Sequence, residues 1–172
     1  MSAAASRFAS DCSRCQALCC VALTFRKGDA FPIDKAPGEP CPNLDPAGFR
    51  CRVWAERRGL GFNACAPYEC FGAGPAVSAV MAARGHAWPD LDPATAAAYQ
   101  DDMRRLMRVS VLLAYLDTGR IADPALRAEL EAIRTDYERT GTLASRDRIQ
   151  RVLIDHRGTV GRILTAIGYS GG

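Results

Sequence analysis

Eight cysteines carry most of the chemistry this chain can offer. Cys12, Cys15, Cys19, Cys20, Cys41, Cys51, Cys65 and Cys70 precede a long remainder with no cysteine at all. Thiols scattered through a core behave as small apolar side chains, whereas thiolates at short spacing are soft ligands for zinc or for iron-sulfur clusters. The density of these eight points to a site. Cys12-Ser-Arg-Cys15 brings two sulfurs to one centre, and the step to Cys19 adds a third. On a helix Cys15 and Cys19 share a face, while Cys20 points about 100° away, toward another role or another metal. Eight sulfurs allow two four-coordinate sites, one cluster plus one structural ion, or one site with spare cysteines. A disulfide framework would need an oxidising compartment.

Zinc sites commonly use two short-loop pairs, and only Cys12-x2-Cys15 qualifies unless Cys65-x4-Cys70 serves as the second. Iron-sulfur sites accept a tight run plus distant ligands, and Ala17-Leu18 and Val21-Ala22-Leu23 are suitable apolar shielding. The reading therefore leans narrowly to an iron-sulfur cluster, with a Zn2+ centre close behind. All eight cysteines are the candidate ligands, and no catalytic residue is assigned.

Cys12-x2-Cys15-x3-Cys19-Cys20, Cys41-Pro-Asn-Leu44 and Cys51-Arg-Val-Trp-Ala-Glu-Arg57, closed by Cys65 and Cys70, resemble the blocks of a bacterial cysteine-cluster family. This is the CxxCxxCC, or YkgJ-like, family, described as zinc- or iron-chelating. One extra residue precedes the vicinal pair here. A second likeness covers almost the whole chain: the N-terminal region of actinobacterial pentapeptide-repeat proteins. It rests on Cys19-Cys20-Val-Ala-Leu23, Ile33-Asp-Lys35, Gly38-x-Pro-Cys-x-Asn-Leu44, Phe49-Arg-Cys51 and Cys70-Phe-Gly-Ala-Gly74. The repeats themselves are absent. The resemblance implies metal binding and leaves room for an enzyme, since some flagellin lysine methylases carry a cluster of this kind.

Composition sets the frame. With 48% apolar and 24% charged residues the chain can bury a core, and a net charge of +3 is a slight excess. Arg104, Arg105 and Arg108 directly follow Asp101 and Asp102, which argues against nucleic-acid binding. Residues 1–10 lack the apolar run of a secretory signal, and no window approaches the roughly 18 apolar residues of a membrane span. The expectation is a cytoplasmic protein without nucleic-acid or membrane partners.

The elements that must position the cysteines follow from punctuation and period. Residues 24–40, rich in Pro and Gly, read as a loop with brief extended pieces, whose Phe25, Phe31 and Ile33 either pack simply or close over the metal. Phe49 to Arg58 reads as a short helix ending at Gly59. Phe71-Gly-Ala-Gly-Pro75 reads as a flexible connector preceding residues 76–84. Asp92-Pro93, Asp123-Pro124 and Ser145 are helix N-caps, predicting helices over 93–118, 124–139 and 146–168, the last interrupted at Gly158 and Gly161. His156, His86, Met103 and Met107 read as packed or hydrogen-bonded residues ahead of metal ligands. The predicted fold is mainly α: a loop-rich cysteine lobe over 1–74, and a bundle of three to four helices over 75–172 packed against it as one integrated domain.

Three functions fit. The first is a metal-binding protein with a cysteine-held cluster or zinc centre on a helical scaffold. The second is a metal- or thiol-dependent redox or peptide-modifying enzyme, with Arg14 the charge near the vicinal thiols. The third is a protein-interaction module with a purely structural zinc.

Overall fold

The computed structural model describes residues 8–168, so residues 1–7 of the segment read for an export signal lie outside the described residues. The fold is mainly helical. Among the described residues six α-helices run in the order α1 (Leu18–Ala22), α2 (Ala73–Ala83), α3 (Pro93–Leu116), α4 (Pro124–Thr140), α5 (Arg146–Asp155) and α6 (Arg157–Ala166). A small two-stranded sheet pairs β1 (Leu44–Asp45) with β2 (Arg50–Cys51), antiparallel, with Leu44 opposite Cys51.

The caps act as predicted. Asp92 accepts from the Ala94 and Thr95 amides, Asp123 from Leu126 N–H and Ser145 from Arg148 N–H, each satisfying donors that a helix start leaves unpaired. α3 is the central helix: Tyr99, Met103, Leu106, Val109 and Leu113 are buried, and α2, α4 and α6 pack around it. α1 packs on α3 as well, so Leu18, Ala22 and Cys70 from the lobe share one core with Val77, Leu106, Leu130 and Ile163 from the helices. Val21, Phe25, Cys41, Leu44 and Phe62 form a second, smaller core inside the lobe.

Three local expectations need correction. Phe49 to Arg58 is not a helix: Asp45 caps a tight turn by accepting from the Ala47 and Gly48 amides, Phe49 is left-handed (φ 52°), and β2 starts at Arg50. Consecutive turns then run to Gly61. The Gly-rich run is no connector, because α2 begins at Ala73 and takes Gly74 and Pro75 into its first turn, where proline's missing N–H costs nothing. The last helix breaks at His156, ahead of both glycines. The cause is a polar clasp: His156 Nδ1 lies 3.1 Å from Asp123 Oδ2 and Nε2 lies 3.1 Å from Glu129 Oε1, while Thr159 Oγ1 donates to Asp123 at 2.8 Å.

With a carboxylate at each ring nitrogen, imidazolium is the favoured form, and the hydrogen bonds to Glu129 and then Asp123 hold the His156 pKa above its ordinary value. A group raised on folding stabilises fully below its unfolded pKa, and that share disappears as pH climbs through the folded value. His156→Gln should therefore lower unfolding free energy by about 0.5 kcal/mol near pH 6 and by much less near pH 9, as measured by urea unfolding at the two pH values.

Candidate functional site

Four separate stretches of chain deliver the cysteines. Cys12 sits in a 3-10 turn, Cys12–Arg14, capped by Asp11, and Cys15 follows it directly. Ala17 then adopts the left-handed region (φ 53°), a conformation costing about 1–2 kcal/mol for a residue with a Cβ, and turns the chain into α1. Cys19 and Cys20 are consecutive on that helix. The Cys41 amide donates to Cys20 O at 2.9 Å, tying the second stretch to the first. Cys51 lies on β2, Cys65 ends the 3-10 turn Asn63–Cys65, and Cys70 precedes α2.

All eight line one cavity of about 590 Å³, and all eight are free thiols. Leu23, Phe25, Phe31, Trp54, Phe62 and Met103 give it largely apolar walls. Phe25 and Phe31 stack at 4.1 Å between centroids, whereas Ile33 packs in the lobe core away from the cavity wall. A second hollow of about 620 Å³ between α2 and α4 contains no cysteine. Among the described residues no three His, Cys, Asp or Glu side chains form a group that could hold a metal ion as they stand.

Specific contacts hold individual sulfurs. Ser78 Oγ donates to Cys15 Sγ at 3.6 Å, and the Ser10 hydroxyl lies 3.1 Å from Cys70 Sγ while accepting from the Cys70 amide at 2.9 Å. Gly74 matters by what it lacks: a Cβ there would stand 2.9 Å from Cys15 Sγ and 3.5 Å from Cys70 Sγ. The two sulfurs thus flank a point that only glycine leaves open. Ser10 and Ser78 escape sequence reasoning, because nothing in their spacing marks them as neighbours of a thiol, while Gly74 is quoted there only beside Cys70 and its approach to Cys15 is not foreseen.

Burial pushes the thiols of Cys12, Cys15, Cys41 and Cys65 up, the last to about 11. Cys19 is held well above the ordinary thiol range by its hydrogen bond with the Cys20 thiol and by burial. Neutral thiols of this kind are poor nucleophiles, and a cation entering the cavity would favour the thiolates. Arg14 is turned to Asp11, 4.0 Å away, and the guanidinium that lowers Cys12 is Arg50.

Lys35 was not singled out by its sequence setting. It is only 3% exposed, and its ammonium donates to the carbonyls of Val21, Ala36 and Glu39 at 3.1, 3.0 and 2.6 Å. Cys41, Cys20 and Cys19 are near enough to favour its charged form, against the burial that disfavours it. The other candidates are occupied elsewhere: His86 Nδ1 lies 2.9 Å from Tyr99 OH, His156 sits in its clasp, and Met107 Sδ accepts from Tyr68 OH at 3.3 Å. Met103 is buried on α3 and contributes to the cavity wall.

Fold and site together define a mainly helical protein with a cysteine-lined cavity at the junction of a loop-rich lobe and a helical bundle. The chain is similar to an uncharacterized protein, YybG, of Bacillus subtilis (strain 168), at 35% identity over 153 residues. That alignment covers 87% of this chain and 53% of YybG, so the chain spans about half the length of the curated relative it matches. No family model matches the chain, and no solved structure does. None of the helices is long and apolar enough to cross a membrane among the described residues.

Replacing Gly by Ala inside a helix ordinarily adds about 1 kcal/mol of stability. Gly74→Ala should do the reverse, lowering the thermal midpoint while far-UV circular dichroism keeps its helical signal, because the new methyl displaces Cys15. A raised midpoint would mean that the Cys15 side chain moves aside freely.

Proposed function

We propose that this protein binds metal, holding a cysteine-ligated centre in the cavity between lobe and bundle, with an iron-sulfur cluster narrowly ahead of zinc. The observation that carries this reading is the convergence of eight unpaired thiols, from four stretches of chain, on one apolar cavity. The donor set suits either metal, since both take tetrahedral thiolate ligation. Apolar walls of the kind made by Leu23, Phe25 and Phe31 also shield a cluster from water.

In this reading the helices are scaffold. Trp54, Leu60, Ile154 and Ile167 are the exposed large apolar side chains among the described residues, and they are divided between the lobe and the last two helices. Trp54 is also covered on one face by the Arg57 guanidinium, 3.8 Å from its ring centroid.

Anaerobic purification followed by assay of iron, zinc, copper and acid-labile sulfide tests the proposal. The expected result is stoichiometric metal, with sulfide and a broad visible absorption where the centre is iron-sulfur. Less than about 0.5 metal per chain would overturn it.

A further inference from the structure

We propose that the cavity holds two separate four-thiolate centres: one ligated by Cys12, Cys15, Cys19 and Cys70, the other by Cys20, Cys41, Cys51 and Cys65. The adjacent Cys19 and Cys20 give one ligand to each. The inference rests on the metal-binding reading above and adds the number of centres and the ligands of each. Either centre would take a thiolate-bound iron cluster or a zinc ion, both of which use four cysteines.

Helix geometry gives the first reason. Cys19 and Cys20 are neighbours on α1, so their side chains leave the axis about 100° apart; their thiols stay within hydrogen-bond reach of each other while the two residues pack on different sides. Packing gives the second. Cys15, Cys19 and Cys70 belong to the core shared with the helices, whereas Cys20, Cys41 and Cys65 belong to the smaller core of the lobe. The division falls between residues 19 and 20.

Placement in the fold agrees with that division, although no three of these side chains are grouped tightly enough to hold a metal as they stand. Cys15 and Cys70 sulfurs flank the same point beside Gly74, and Cys12 lies in the 3-10 turn just before Cys15, which packs on α2. On the other side the Cys41 amide donates to Cys20 O, Cys51 pairs with the buried Leu44, and Cys65 packs against the same lobe core as Cys41 and Leu44. Two complete quartets leave no cysteine over.

The test uses the full chain, Cys12→Ser, Cys51→Ser and the double variant, each loaded anaerobically with iron and sulfide, and separately titrated with Co(II) in metal-free form. Wild type should saturate at about two centres per chain, each single variant at about half of that, and the double variant near zero. The spectra left in the two single variants should sum to that of wild type. Failure of wild type to take up iron, zinc or cobalt would remove the metal-binding reading itself. Uptake of one centre per chain by wild type would leave that reading standing and overturn this one. So would a folded single variant that loses everything or nothing. Should a single variant fail to fold by circular dichroism, the wild-type count is read with Gly74→Ala, which keeps every thiol and should impair only the centre containing Cys15 and Cys70.

Discussion

Burying a thiol in apolar surroundings favours its neutral form, and this structure gathers eight thiols around one largely apolar cavity. Deprotonating several of them there would bring like charges together at low dielectric, which is why burial and neighbouring cysteines both raise Cys12, Cys41 and Cys65. Only an added positive charge reverses that balance. The lobe's architecture is organised around this constraint: a left-handed turn at Ala17, a hairpin too short to be a sheet in its own right, and glycine where a methyl would strike a sulfur.

The five residues of α1 connect this constraint to the remainder of the fold. Such a helix is far too short to be stable alone, and it persists because Leu18, Val21 and Ala22 are buried. Leu18 and Ala22 enter the helical core, while Val21 enters the lobe core. The same alternation sends Cys19 toward the bundle and Cys20 toward the lobe. Packing and sulfur placement are thus one geometric fact, and a disturbance of α3, on which α1 rests, would reach the cavity without touching a cysteine.

Long amphipathic elements were legible in the sequence because their signals are local. Asp92, Asp123 and Ser145 each cap the helix that follows, and Leu126, Leu130 and Ile133 bury the face that their period predicts. Where the outcome depended on distant partners, the sequence misled. The break at His156 is made by Asp123 and Glu129, more than 25 positions away, and no local pattern announces it. Phe49 to Arg58 has helix-compatible residues but is diverted by the Asp45 turn and by pairing with Leu44. The segregation of the cysteines pointed to one region of the fold, and all eight line one cavity; that Ser10 and Ser78 meet two of their sulfurs becomes visible only when the chain is folded.

Lys35 brings these strands together. An ammonium at 3% exposure has given up nearly all its water, and carbonyl oxygens from Val21, Ala36 and Glu39 replace the lost hydrogen bonds without neutralising the charge. Burial accordingly lowers its pKa, with Cys41, Cys20, Glu39 and Cys19 acting in the opposite sense. Three of those four influences come from thiols, and they act only when the thiols are ionised. A centre built of thiolates carries net negative charge even after the metal is counted, so it would compensate this cation as the cation compensates it. Lys35 also ties down the 24–40 loop, pairing with Phe25 and lying 5.0 Å from its ring, so the loop that walls the cavity is anchored on a buried cation.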